Sequence, residues 1–154
     1  MVLAYEDAFM FVKNMLSAAV KRLVSVGDDV PLIDAAKPLS DFNIDLVVVC
    51  NADGRLAGII TKTDVVRQIC LGAGYTTAAS DVMMRNVILC HPSDPVRDVW
   101  AVMKERSVKN IPVISQDSQP IGVLNARDVL EVLMEEAEYE EALLRDYVMS
   151  VGYF

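Results

Sequence analysis

Two stretches of this 154-residue chain match each other without a gap at an offset of 64 residues. Gly58-Ile59-Ile60-Thr61-Lys62-Thr63-Asp64-Val65-Val66 lines up with Gly122-Val123-Leu124-Asn125-Ala126-Arg127-Asp128-Val129-Leu130. The same offset holds upstream, where Pro31 falls on Pro95, Asp34 on Asp98, Val49 on Val113 and Asp53 on Asp117. Apolar positions agree as well: Leu23 with Val87, Val24 with Ile88, Ile44 with Val108 and Val47 with Ile111. One shared glycine and aspartate would be a cheap coincidence. An ungapped match of this length marks a duplicated unit whose apolar face is buried against its own copy.

Each unit reads as a small α+β element in the order strand, helix, strand, strand, helix. In the second, Val87-Ile88-Leu89-Cys90 is a β-rich run. His91-Pro92-Ser93-Asp94-Pro95 breaks it and opens a helix, with Ser93 or Asp94 as N-cap and Pro95 near the first turn. Val96, Val99, Trp100 and Met103 recur at helical spacing. Asn110-Ile111-Pro112-Val113-Ile114 and Ile121-Gly122-Val123-Leu124 are strands around the turn Gln116-Asp117-Ser118-Gln119, and Asn125 or Asp128 can cap the last helix. The first unit repeats this with strands at 46–50 and 57–60, a turn at Asn51-Ala52-Asp53-Gly54, and a helix from about Thr63. Both hairpin strands are apolar, so the sheets are expected to pack against helices on one side and against each other on the other.

Two helical stripes lie outside the duplicated units. Ala8, Val12, Met15, Leu16, Ala19, Val20 and Leu23 form one, at the N-terminus. Leu130, Leu133, Met134, Ala137, Leu144, Tyr147, Val148 and Val151 form the other, and it prolongs the last helix. Glu135, Glu136, Glu138, Glu140 and Glu141 make an acidic, solvated opposite face. The stripes either cover the repeats or join two copies of the chain.

Composition narrows the function. The net charge of −8 repels phosphate backbones and anionic lipid, so neither nucleic acid nor membrane is an expected partner. The hydrophobic share is high, 53%, but the apolar runs are strand-sized, well short of the ~20 residues a span needs. Glu6 and Asp7 stand where a secretory leader carries positive charge, and Lys13 interrupts the apolar stretch that follows, so no leader is expected. Cys50, Cys70 and Cys90 show no paired spacing and read as reduced, mostly buried thiols of a cytoplasmic protein. His91 is the only histidine, which leaves no metal site and no Ser/His/Asp or Cys/His set.

The repeat order, the Gly-apolar-apolar-Thr-x-x-Asp ending and the Ile111-Pro112-Val113 strand together resemble the CBS (cystathionine beta-synthase) domain. Asp81-Val82-Met83-Met84-Arg85-Asn86-Val87 is similar to the entry of a second such repeat. The resemblance covers roughly residues 18–136. It implies a stand-alone CBS pair, or Bateman module: two β-α-β-β-α repeats about a pseudo-twofold axis with added terminal helices. The expected divisions are an N-terminal helix over 1–17, repeats at 18–72 and 81–136, a linker at 73–80 and a helical extension over 137–154. The resemblance also implies a regulatory sensor of AMP, ADP or ATP, with NAD or S-adenosylmethionine as further ligands, no required cofactor, and a homodimer acting on an unknown regulated protein.

The residues bear on that chemistry directly. A ribose presents two adjacent hydroxyl donors that one carboxylate can accept. Asp64 and Asp128 are the candidates, and a helix N-cap without a ligand is the plainer role for each. Thr61, at a strand-to-helix junction, lies beside the free N–H groups of a first helical turn, where a phosphate can sit. By the resemblance, Ile59, Thr61 and Asp64 line one site, and Val123, Asn125 and Asp128 the other. The same resemblance implies that each cleft also draws on the opposite repeat. The Asp64 cleft is expected to face Arg85, Val87, Ile88, Val108 and Lys109, with Lys62 near the phosphates. The Asp128 cleft is expected to face Leu23, Val24, Ile44 and Asp45, a like charge that Arg127 partly offsets. The first cleft is therefore expected to bind a phosphorylated adenosine ligand more tightly.

Other classes remain in view. Leu71-Gly72-Ala73-Gly74-Tyr75-Thr76-Thr77 has the glycines of a phosphate loop, but it follows a helix rather than a strand and reads as the connection between repeats. A ligand-free dimerisation and protein-interaction module is the second reading, and a cysteine redox switch the third.

Overall fold

The computed structural model describes residues 10–74 and 76–151. Ala8 of the N-terminal stripe and Tyr75 of the connection lie outside them, as does the side chain of Val151. In the first unit, β1 (Ser25–Gly27) pairs in parallel with β2 (Leu46–Cys50), which pairs antiparallel with β3 (Leu56–Thr61). In the second, β4 (Asn110–Ile114) and β5 (Pro120–Asn125) form an antiparallel hairpin. The helices are α1 (Leu16–Lys21), α2 (Leu32–Ala36), α3 (Lys62–Cys70), α4 (Ala79–Val82), α5 (Val96–Arg106) and α6 (Ala126–Val151). The duplication is kept in the register. Leu46 faces Thr61 where Asn110 faces Asn125, and the ladders shift at the equivalent Val49/Cys50 and Val113/Ile114 steps. Both hairpin turns reach the left-handed region at the same place, Gly54 at φ 77° and Ser118 at φ 62°.

The expected strand over residues 87–90 is reduced to one bridge, Cys90 with Val113. Proline causes the loss. In the first unit the Val48 N–H donates to Val24 O at 2.9 Å and carries the parallel ladder onward. Pro112 stands at the equivalent position and has no N–H to give to Ile88. Only the Cys90 N–H to Pro112 O and Ile114 N–H to Cys90 O bonds remain, both 3.0 Å. The start of α5 also differs from expectation. Pro95 itself occupies the N-cap position, and the Asp94 carboxylate accepts from His91 N–H instead.

Alternation along β2 splits its side chains between two cores, as expected of a strand covered on both faces. Val47 and Val49, with Ile60 of β3, pack against Leu32, Ala35 and Leu39. Leu46, Val48 and Ile59 turn the other way and meet Val123 of the second unit. That second cluster joins the two sheets.

The N-terminal stripe does more than cover its own repeat. The helical stretch begins as a 3-10 turn at Val12–Met15 and continues as α1. Val12, Met15 and Ala19 are buried in the core of the second unit, with Val96, Val99, Met103 and Leu124. Val20, read as part of that stripe, is exposed. The reciprocal contact is made by α4 and the residues after it, which pack on β3 of the first unit. The Met84 N–H donates to Ile59 O, and the Ile59 N–H to Met84 O. The two units thus exchange their leading segments, as a twofold arrangement requires. The exchange explains two glycines. A Cβ at Gly122 would lie 2.7 Å from the Ala19 Cβ, and one at Gly58 would lie 2.7 Å from Met84 O.

Helix α6 leaves the body of the protein. Val129 is fully buried, and Val132 and Leu133 pack partly on the second core. Leu130, Met134, Leu144, Tyr147 and Val148 are exposed, so most of the predicted stripe is uncovered. Glu136 departs from the acidic solvated face expected for it and is buried. Its Oε1 accepts from the Met10 N–H at 2.7 Å, which pins the N-terminal segment to α6, and Arg97 Nε lies 3.5 Å from its Oε2. Among the described residues, no helix is long and apolar enough to cross a membrane.

Candidate functional site

The two units meet along a cleft of about 570 Å³, within the usual range for small-molecule sites. The first unit supplies Ile59 at the end of β3 and Thr61, Lys62 and Thr63 at the start of α3. The second supplies Asn86, Val87 and Ile88 from the segment that Pro112 excludes from the sheet, and Ser107, Val108, Lys109 and Asn110. Ser107 ends α5 in the left-handed region, φ 54°, and turns the chain into the cleft floor. Ile59, Val87, Ile88 and Val108 make an apolar wall, with Thr61, Lys62 and Lys109 as the polar partners. All seven were expected here from the sequence.

Asp64 and Arg85 were expected in this cleft too, and neither lines it. Thr61 caps α3, and its N–H and hydroxyl both donate to Asp64 Oδ2, at 2.9 and 3.0 Å, while the Asp64 N–H returns a 3.3 Å bond to Thr61 Oγ1. This reciprocal capping draws the carboxylate behind the wall. Arg85 turns away because its Nη2 donates to Ser80 O at 3.1 Å. Asp45, expected in the other cleft, lines this one and sits 3.4 Å from Lys62 Nζ. The basic cluster is therefore thinner than the sequence implied. Lys62 is paired, though such a half-exposed pair is worth no more than about 1 kcal/mol. Lys109 has no carboxylate within ion-pair distance among the described residues.

The pseudo-equivalent second cleft is built differently. Asp128 does not face solvent as a free acceptor. Arg22 holds it in a forked pair, Nε to Oδ2 at 2.6 Å and Nη2 to Oδ1 at 3.1 Å. The third nitrogen, Nη1, donates to Asn43 O at 3.2 Å. The carboxylate bond raises the Arg22 pKa further. Asn125, where the first unit has Thr61, binds Asn110 through Nδ2 and accepts from the Arg127 N–H. Arg127 is exposed. Val123 and Leu23 are taken up in the core between the sheets, and Val24 and Ile44 in the core of the first unit. The sequence reading missed Arg22. Its offset equivalent, Asn86, lines the first cleft but was not singled out by the sequence either, so the pairing emerges only in the structure.

The connection between units ends α3 at Gly72, φ 80°, and among its described residues starts no helix that could cradle a phosphate before α4. Burial pushes the Cys90 thiol up to about 12 and Cys50 upward, which suppresses thiolate chemistry at both. Cys70 is exposed.

Two duplicated units, each closing the other's core and sharing a cleft, define a tandem-repeat α+β architecture. The chain belongs to the CBS domain family, whose sequence pattern matches residues 12–70 and 79–135. The fold is similar to the CBS domain pair of protein MJ0100 in complex with 5′-methylthioadenosine and S-adenosyl-L-methionine. The likeness has a TM-score of 0.70 at 23% identity and covers 83% of this chain and 98% of that one. It is also similar to the CBS domain protein PAE2072 from Pyrobaculum aerophilum complexed with AMP. There the TM-score is 0.71 at 19% identity, covering 84% of this chain and 99% of that one. Among curated proteins, 77% of the chain matches the L-aspartate semialdehyde sulfurtransferase of Methanocaldococcus jannaschii at 28% identity. That match spans 22% of the enzyme's length.

Proposed function

We propose that the chain is a regulatory module that binds one adenosine nucleotide, AMP, ADP or ATP, in the cleft between its repeats. The observation that carries this reading is the division of that cleft. An apolar wall of Ile59, Val87, Ile88 and Val108 suits a purine. The first turn of α3 and Lys109 suit a phosphate, since the N–H groups of Lys62 and Thr63 have no intrahelical partner. Thr61 donates its proton to Asp64 and so offers lone pairs to a ribose hydroxyl. Asp64 acts through Thr61, and a direct ribose contact would require that hydroxyl to leave it. Complexes of similarly folded proteins with AMP and with S-adenosylmethionine support the choice of an adenosine ligand. The cleft has a wall from each repeat, so a ligand that prefers one arrangement of the repeats shifts their relation. A partner protein in the cytoplasm reads that shift.

Calorimetric titration with AMP, ATP, NAD and S-adenosylmethionine tests the reading. Binding of at least one, with a raised melting temperature by mass action, is the expected result. No binding by any of them would favour the ligand-free interaction module.

Helix α6 supports a homodimer within this proposal. From residue 137 to 150 it is exposed on all sides, and an isolated helix of that length is marginal in water. A second copy brings the same Leu144, Tyr147 and Val148 edge and closes it symmetrically. Sedimentation should show a dimer for the native chain and a monomer for the Leu144→Glu/Val148→Glu variant. A native monomer would remove the dimer from the proposal.

A further inference from the structure

The two clefts are equivalent in sequence offset but not in state. In the first, Asn86 is part of the lining and leaves the space open. In the second, the equivalent residue is Arg22, and its guanidinium spans the site. Two of its nitrogens hold the Asp128 carboxylate, and the third holds Asn43 O. Asn43 is the offset equivalent of Ser107, which lines the first cleft. One side chain therefore joins Asp128 to Asn43, whereas their counterparts in the first cleft are Asp64, held in the Thr61 cap, and Ser107, which lines the open space.

We infer that Arg22 is a built-in occupant that closes the second cleft, so that the module takes one nucleotide where its duplication would allow two. The forked pair matches the two carboxylate oxygens that ribose hydroxyls would otherwise reach. Both side chains are about one-fifth exposed, 21% each, so water competes little for the pair. An incoming nucleotide would have to displace three hydrogen bonds before making its own. This inference rests on the nucleotide-binding reading above, and it adds which residue sets the stoichiometry.

The test compares the native protein with Arg22→Asn, which installs the residue of the first cleft. Calorimetry with AMP should give one site for the native chain and two for Arg22→Asn, the second absent when Asp128→Ala is added. One site in both proteins overturns the inference. So does loss of binding in Arg22→Asn, which would make Arg22 a phosphate ligand. Arg22→Gln keeps the aliphatic stem and repeats the test should Arg22→Asn fold poorly. If no adenosine ligand binds either protein, the nucleotide reading fails, and closure is decided without a ligand. Carbodiimide labelling of carboxylates, read by mass spectrometry, should modify Asp128 at least fivefold faster in Arg22→Asn than in the native chain. An unchanged rate overturns closure.

Discussion

Gly122→Val should lower the melting temperature by roughly 2–12 °C, and Gly58→Val by a similar amount. At Gly122 a Cβ alone would lie 2.7 Å from the Ala19 Cβ and 3.1 Å from its carbonyl carbon. Relief requires α1 to move off β5. Yet α1 is held there by Val12, Met15 and Ala19, all buried, and by the Met10 N–H bond to Glu136. At Gly58 the flexible Met83 side chain can give way, but Met84 O at 2.7 Å is backbone and is already committed to the Ile59 bridge. Overpacking of this kind costs about 1–3 kcal/mol, and each kcal/mol is worth about 2–4 °C in a chain of this size. Gly74→Ala is the control, because the nearest heavy atom to its Cβ would be Thr76 Oγ1 at 3.9 Å. Thermal unfolding of the three variants is the measurement. A Gly122→Val protein that melts with the Gly74→Ala control would contradict the close crossing of α1 over β5.

The second large effect is on ligand affinity. Lys109→Glu should weaken AMP binding by about 100-fold or more while changing adenosine binding by less than about threefold. Lys62 already has Asp45 as a partner, so among the described residues Lys109 is the cation of the cleft without a paired carboxylate. Two unit charges 4 Å apart near a protein surface interact by about 4 kcal/mol. Reversing the charge replaces that attraction with a repulsion of the same kind. The comparison of AMP with adenosine isolates the phosphate, and raising the salt concentration should narrow the gap. Equal losses for both ligands would mean a distorted cleft rather than a lost phosphate contact. The residue belongs to the second repeat and Thr61 to the first, so the result also tests whether the repeats share one ligand.

Much of the fold was legible because it is written twice. The hairpins at 46–61 and 110–125 follow from continuous apolar runs around turn residues, and the second copy supports the first. What failed was local chemistry that differs between copies. Pro112 looks like an ordinary strand residue in its motif. Its missing N–H erases a ladder bond that Val48 makes, and the 87–90 strand goes with it. Cleft walls were readable through the CBS resemblance, which implied the positions that face the shared boundary. Individual charges were not, since a long side chain chooses among partners that only the tertiary structure brings near. Arg85 chose a carbonyl, Lys62 chose Asp45, Glu136 chose the Met10 amide, and Arg22 crossed 106 positions to reach Asp128. Asp64 was read as the ribose acceptor with a helix N-cap as the plainer role; Thr61 is the N-cap, and Asp64 completes its capping box from the third helical position.

The exchange of leading segments bears on how the chain is made. Residues 12–19 leave the ribosome about 100 residues ahead of Gly122, and their seat on β5 is not complete until it follows. At about 5–20 residues per second, that is a wait of roughly 5–20 s. Through that interval an apolar helix has no docking surface of its own. The first repeat is likewise unfinished until Met84 arrives to close it. Neither half can mature ahead of the other, so the nascent chain depends on protection of its first segment until its last hairpin is out.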